Sequence, residues 1–422
     1  MEKGLKVSRK AANLVGSEII RLAGEINALI ANGQQIYNFT IGDFDPAIFP
    51  IPEKFTEEII SAYRKHHTNY PPANGMAPLR KAIAEFIQKH QGLSYPADDY
   101  LIAGGARPLI YAAYQAVVNP GDKVIFPVPS WNNNHYTHLS DGEKVMIEAG
   151  PESHFMPTAQ SLAPHIQEAS LIALCSPQNP TGTTFTKEQL LEICDLVLEE
   201  NKRRGPDAKP VYVLYDQIYW LLTFGETQHH DPVSLRPEMR AYTIFIDGLS
   251  KSLAATGVRV GWAFGPSEII NQMKNLLGHV GAWAPKAEQV ASANFFQNET
   301  ALKEYLTWIR EQVHLRLAGF YDGFMELKGK GFKVDAIAPQ AAIYLTVSFD
   351  LAGKSTTNGT QLLTTRDVQK FLLEEAGLAL VPFYAFGASE TSSWFRLSVG
   401  TSKLDEIPAV FQRIEAALKR LG

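Results

Sequence analysis

Two cysteines, Cys175 and Cys194, are all that the 422 residues contain. Two thiols cannot build the disulfide framework of a secreted scaffold. Both stand among apolar residues, so they read as buried, reduced thiols of a cytoplasmic protein. An excess of positive charge is also missing: 39 Lys and Arg stand against 44 Asp and Glu, a net charge of -5. Nothing in that balance neutralises a phosphate backbone, which sets nucleic acid aside as a partner. The one dense basic run, Lys202-Arg203-Arg204, follows Glu199-Glu200 and precedes Gly-Pro, the composition of a solvated helix end. No uninterrupted apolar run approaches the roughly 20 residues that span a bilayer, and the charged opening has no apolar stretch behind it. Neither a membrane nor a secretory leader is expected. His66-His67 and His229-His230 sit in polar stretches without metal-ligand spacing; they read as solvated loop residues, and no metal is expected.

What is present is apolar content, 45% of the chain. That is too much for one small core and predicts two domains, or one large domain with a satellite. Apolar positions at helical spacing predict a helix over residues 17–32, closed by Asn32-Gly33. An extended segment follows from Ile36 to Ile41, and Pro46, Pro50 and Pro52 then enforce a non-helical crossing. Short, continuously apolar strands are predicted at residues 123–127, 171–176, 211–216, 243–247 and 258–264. Helices such as 108–118 and 187–201 alternate with them. Continuous rather than alternating apolar runs mean that helices cover both faces of a mostly parallel sheet, an α/β layer. After about Asn298 a long helix (304–324) is followed by strands at 343–349 and 394–399. Residues 50–297 therefore read as the large domain, and residues 1–49 with 298–422 as a smaller, discontinuous α+β domain.

In such a sheet ligands bind beyond the carboxyl ends of the strands, and four strand-end features converge there. Asn179, in Ser176-Pro-Gln-Asn-Pro-Thr-Gly182, has prolines near it on both sides that hold it rigidly; the stretch also reads as a plain turn. Asp216 ends an apolar strand, where an unpaired carboxylate is costly, so a cationic partner is expected unless it merely caps a helix. Lys251 follows a buried strand amid small and apolar residues. Partial desolvation would lower its pKa and make it the nucleophile that Schiff-base chemistry needs. Arg259, beyond Gly257, is a second cation in an apolar setting, and the pair calls for an anion such as a phosphate. Gly104-Gly105-Ala106-Arg107 opens a helix whose free backbone N–H groups would cradle that anion. The turn has neither the dinucleotide-binding spacing nor a P-loop ending.

In order and spacing, Tyr70-Pro-Pro-Ala-Asn-Gly75, Pro129-Ser-Trp131, Asn179-Pro-Thr-Gly182, Asp216-x-x-Tyr219, Ser250-Lys251, Arg259 and Arg396-Leu-Ser398 resemble the class I/II aminotransferases. These are fold-type-I pyridoxal-phosphate enzymes related to aspartate aminotransferase. The resemblance runs from Ser8 to about Thr401. It implies that Lys251 holds the cofactor as a Schiff base and shuttles the substrate α-proton, and that Asp216 pairs with the pyridine nitrogen. Asn179 and Tyr219 would bond the ring's phenolate oxygen and Trp131 would stack on the ring. Gly105, Ala106, Arg107, Ser250 and Arg259 would hold the phosphate. Tyr70 would reach it from the neighbouring subunit, which implies a homodimer. Arg396, whose fork matches a carboxylate, would grip the substrate α-carboxylate together with Gly42.

Some positions depart from the family pattern. Gly248 stands where a hydroxyl residue is common, Gln217 where an acid is usual after the cofactor aspartate, and Ser130 where an aromatic is commoner. None removes a required group. Ser17 and Arg107 match positions that, in one branch of the family, meet a distal substrate carboxylate; Arg107 serves equally well as a phosphate support or a solvent-facing residue. Asn132, Asn133 and Asn134 read as helix-capping rather than pocket-lining. The function implied is transfer of an amino group between an L-amino acid, aspartate-like or aromatic, and a 2-oxo acid. Another pyridoxal-phosphate reaction, such as β-elimination of the C–S lyase type, shares the same cofactor motifs. A non-catalytic regulator on this fold would need a DNA-binding segment, and only a handful of residues precede Ser8.

Overall fold

The computed structural model describes residues 6–14, 16 and 18–421. Among the described residues thirteen strands form three sheets: β1 Tyr37–Asn38, β2 Tyr100–Ala103, β3 Lys123–Val128, β4 Glu143–Glu148, β5 Ala169–Cys175, β6 Tyr212–Asp216, β7 Thr243–Gly248, β8 Gly261–Phe264, β9 Val334–Ala336, β10 Tyr344–Phe349, β11 Leu378–Ala379, β12 Val381–Pro382 and β13 Trp394–Ser398. The large sheet is seven-stranded, in the order β2-β8-β7-β6-β5-β3-β4. Its centre is parallel as expected, and β5, β6 and β7 are buried along nearly their whole length. The expected helices run over Ala106–Val117 and Lys187–Arg204. Thr186 and Gln189 start the second with a capping box, and Gly205 ends it. Its basic end is not merely solvated: the Arg204 guanidinium donates to the carbonyls of Ile166, Ala169 and Lys209 and pairs with Glu200.

Strand β8 departs from expectation, and the departure builds the site. It is antiparallel to both β7 and β2. It therefore enters the sheet at the edge where the parallel strands finish, and Arg259, two residues ahead of it, arrives beside their carboxyl ends. Strand β2, antiparallel to β8, ends at that same edge and delivers Gly104 to Arg107. The expected strand 258–264 is shortened because Arg259 takes the left-handed region at φ 60°. Strands β2 and β4 were not foreseen. Strand β4 has a mostly exposed burial pattern and only the short apolar run Val145-Met146-Ile147 between charged residues, and β2 is four residues long.

The second core gathers Phe39, Phe44 and Phe49 from the N-terminal segment with residues of the helix Glu299–Gly329, β10 and β13. Here the sheet is antiparallel, β12-β13-β10-β9, with β1 paired in parallel to β11 alongside. The N-terminal helix Glu18–Ala31 buries Leu22 against Phe155, Phe383 and Phe386.

Close backbone approach holds the site edge together. A Cβ on Gly261 would stand 2.6 Å from the Gly105 carbonyl carbon and 2.7 Å from the Ala106 nitrogen. Both are backbone atoms that cannot swing aside. Gly261→Ala should therefore lower stability by about 1–3 kcal/mol through overpacking. Urea unfolding of the wild type and variant, with an unchanged midpoint, would show that the strands tolerate the shift.

Candidate active site

Register brings the expected residues together. Cys175 at the end of β5 pairs with Asp216 at the end of β6, and Asp216 with Ile246 near the end of β7. The turns that follow, 176–182, 216–219 and 248–251, therefore line one edge. A cavity of about 450 Å³ opens there, lined by Gly42, Ala106, Arg107, Trp131, Asn179, Asp216, Tyr219, Ser250, Lys251, Arg259 and Arg396. A larger hollow of about 1160 Å³ lies between the helix Ala77–Gln91, the segment 220–235 and the start of the helix Glu299–Gly329. It shares no lining residue with the first and contains none of these groups.

Lys251 Nζ donates to the Gly42 carbonyl at 2.6 Å and stands 5.9 Å from the Tyr219 ring centre. Burial pulls its pKa down to about 8; Asp43 opposes the shift, and the cations Arg396, Arg107 and Arg259 add to it. Asp216 accepts the Ile218 N–H at 3.1 Å and, among the described residues, has no cationic partner. The cation expected from the sequence is thus not a protein side chain. Burial pushes the carboxyl up to about 6, the state of a group that awaits a positive charge.

Arg396 is 2% exposed. Its guanidinium donates to Asn179 Oδ1 at 3.0 Å and to the Thr40 carbonyl at 2.7 Å, and it lies 4.7 Å from the Tyr344 ring centre and 4.9 Å from that of Phe386. No carboxylate pairs with it among the described residues. A buried charge without its opposite is strongly unfavourable, so this arginine fits an anion that arrives from outside. Gly42 leaves the approach open: a Cβ there would meet the Tyr344 hydroxyl at 2.8 Å.

Arg259 donates to the carbonyls of Thr256 at 2.6 Å and Gly104 at 3.0 Å. A Cβ on Gly105 would fall 2.0 Å from its guanidinium. The helix Ala106–Val117 starts at this point with no side-chain cap, so its first N–H groups are left for a ligand. Together with buried Ser250, these donors fit a phosphate. Arg107 is exposed and lies over Trp131, 5.3 Å from the ring centre.

Several expectations are corrected. Asn133 lines the cavity, held by the Tyr114 hydroxyl at 2.9 Å, and Asn132 makes no side-chain capping bond. Cys175 is half-buried and also lines the cavity, whereas Cys194 is buried. His229 is not a solvated loop residue: it packs against Trp220 and meets Gln217 Oε1 at 3.3 Å, and burial lowers its pKa to about 3. Tyr70 is 82% exposed, packed against Trp283, and does not line the cavity of its own chain. Ser17 lies outside the described residues. Sequence reasoning missed Tyr344, whose hydroxyl stands 2.6 Å from that of Tyr219. Its only signal was an aromatic residue opening an apolar strand, which is ordinary core composition.

The sequence profile of the family described as aminotransferase class I and II matches residues 34–414. This chain belongs to that family. It is 30% identical to an aspartate aminotransferase of Geobacillus stearothermophilus over 97% of its own length and 98% of the relative's. Among solved structures it is similar to the aspartate aminotransferase of Rhizobium meliloti, with a TM-score of 0.89 at 28% identity, covering 99% of this chain and 100% of that one. It is also similar to the aspartate aminotransferase of Thermus thermophilus with maleate, with a TM-score of 0.85 at 25% identity, covering 98% and 100%. The fold is therefore fold type I and the chain is an aminotransferase; elimination and regulation are not favoured. Among the described residues no helix is long and apolar enough to cross a membrane, and no His, Cys, Asp and Glu group could hold a metal.

The pKa of Lys251 gives a test that needs no substrate. Its charged form is disfavoured in the fold, so the neutral amine grows as pH rises through about 8. Exposed lysines reach that point only above about pH 10. Pulse acylation followed by peptide mass spectrometry should find half-maximal labelling of Lys251 near pH 8. A midpoint with the surface lysines would contradict the assigned burial.

Proposed function

We propose that this aminotransferase holds pyridoxal phosphate at Lys251 and transfers amino groups between L-amino acids, aspartate-like or aromatic, and 2-oxo acids. The observation that carries this reading is Arg396, a buried guanidinium with no counter-ion among the described residues, in one cavity with a half-buried lysine of lowered pKa and a carboxylate that no described cation pairs. When bound, the cofactor supplies an aldehyde for the amine and a ring that accepts the electron pair from the substrate α-carbon. The residues supply the rest. Lys251 Nζ, whose neutral form burial makes more accessible than in an exposed lysine, would take and return the α-proton. Asp216 keeps its carboxylate beside a protonated ring nitrogen. Asn179 and Tyr219 address the ring oxygen, and Trp131 covers the ring face. The backbone of Gly105, Ala106 and Arg107, with Ser250 and Arg259, takes the phosphate, which leaves the Arg107 side chain for the substrate.

Arg396 binds the substrate α-carboxylate with Asn179, Trp131 and Gly42 around it. Arg107, at the cavity wall, and Ser17 are assigned to a distal carboxylate. The aspartate aminotransferase names of the relatives, and the maleate in one solved neighbour, support that side-chain class. Exposed Tyr70 supports a homodimer in which it reaches the phosphate of the other copy. We assign residues 50–297 to the cofactor-binding domain and 1–49 with 298–422 to the smaller one; a core drawn mostly from 1–49 and 298–422 supports this division. The low cysteine content supports a cytoplasmic location.

Absorbance spectra of the loaded protein, mixed with single amino acids, test the reaction. Conversion to the pyridoxamine form with release of a keto acid is expected. Pyruvate and ammonia from serine or cysteine, without that form, would replace transamination by elimination. Lys251→Ala should leave a folded protein without turnover, as circular dichroism and a coupled assay would show. Arg107→Ala should lower kcat/KM for aspartate about tenfold or more, the worth of a charged hydrogen bond, and spare aromatic substrates. An equal loss on both would move Arg107 to the phosphate.

A further inference from the structure

The two residues that address opposite ends of the cofactor ring, Asp216 and Lys251, lie on separate turns with no bond between their side chains. One spends its bond on Ile218 and the other on Gly42. A buried acid outside the cavity joins these turns. Asp247, in β7, is 2% exposed and does not line the cavity. Its Oδ1 accepts the Gly248 N–H at 2.7 Å, at the start of the turn that carries Lys251. Its Oδ2 accepts Trp220 Nε1–H at 2.8 Å and stands 3.5 Å from the Gln217 amide, both on the turn that carries Asp216 and Tyr219.

Gln217 is itself fully buried and exchanges hydrogen bonds with Gln91 at 3.2 and 3.1 Å. Its oxygen also meets His229, and the Gln217 N–H donates to Ile246 in β7. Among the described residues no lysine or arginine pairs with Asp247, so it is not half of a structural ion pair. Burial pushes its carboxyl up to about 8, against the pull of its three donors. A lone buried acid is costly to keep, and a carboxyl is the side chain of this size that offers two oxygens to donors from two directions.

We propose that Asp247 is a positioning residue that locks the Asp216–Tyr219 turn to the Gly248–Lys251 turn and so sets the geometry of both groups toward pyridoxal phosphate. It rests on the cofactor reading above. Groups that act on one ligand from different elements need such support behind them. Asp247→Asn keeps the shape but offers a single acceptor oxygen, so the Gly248 or the Trp220 N–H is left facing an amide donor. Trp220→Phe removes one donor and leaves the acid in place.

The test titrates pyridoxal phosphate into the apo forms of wild type, D247N, W220F and the double variant. It reads the dissociation constant and the position of the visible band, and circular dichroism follows thermal unfolding of each apo form. D247N and W220F should each weaken binding about tenfold and shift the band. The double variant should be no worse than D247N, because both changes cut one link. A wild-type constant and band in D247N would overturn the assignment. So would strictly additive losses, or a lowered melting temperature with an unmoved band, which marks a purely structural acid. Should D247N fail to fold, W220F decides alone: a shifted band supports the link and a wild-type band refutes it. Wild-type protein that binds no pyridoxal phosphate would remove the cofactor reading and this inference together, whereas a loaded wild type with an unchanged D247N removes only the inference.

Discussion

Charge gathered in one cavity without an opposing side chain among the described residues is the constraint on which this structure turns. Arg396 is buried and Lys251 and Asp216 are half-buried, and among the described residues none is given a side chain of opposite sign to bond. A fold selected for stability alone would neutralise such groups or replace them with apolar residues of similar volume. Here the cost is retained and spread over two sheets. The lysine and the aspartate stand on the parallel sheet, and the arginine stands on the antiparallel one. The groups complement a ligand with a cationic ring nitrogen, an amine-reactive carbon and a carboxylate, and stabilisation arrives with that ligand.

The rest of the architecture serves to keep those charges apart yet aimed at one volume. Parallel strands β5, β6 and β7 end side by side, which spaces the turns bearing Asn179, Asp216 and Lys251 across neighbouring strands. The antiparallel strand β8 brings Arg259 back to the same edge, and β2 brings the helix start at Ala106. Glycines occupy the points where these chains touch: Gly105 under the Arg259 guanidinium and Gly261 against the Gly105 backbone. Behind the edge, Asp247 and its donors take up the polar groups of the turns, so that the side chains facing the cavity are free for chemistry.

Much of the large sheet was legible because parallel strands covered on both faces carry continuous apolar runs, as in 171–176 and 243–247. The residues at the ends of those runs were legible too, since a charged residue after an apolar strand is out of place unless something uses it. Arg396 was harder: an arginine between Phe395 and Leu397 is ordinary on a strand, and family resemblance rather than periodicity singled it out. Strand β4 left no signal because its residues are mostly exposed. Tyr344 showed only as a tyrosine at a strand start, and Asn133, weighed as pocket-lining, was set aside because an asparagine ahead of a helix is commonplace. His229 was misread because local polarity says nothing about what a distant Trp220 and Gln217 bury.

By itself, then, the sequence determined which groups are the candidates for the chemistry. The identity of Lys251, Asp216, Asn179, Tyr219, Arg259 and Arg396, and their order after strands, is local information. Only the tertiary structure decided which of them share a cavity and which lack a partner. It placed Tyr70 outside the cavity of its own chain, bound Tyr219 to Tyr344 and turned Asn133 inward. It also put an acid at 247 beside the amide at 217. The physical reason is that hydrogen-bond satisfaction and burial are set by contacts between segments far apart in the chain, and no local pattern records whether such a contact is made.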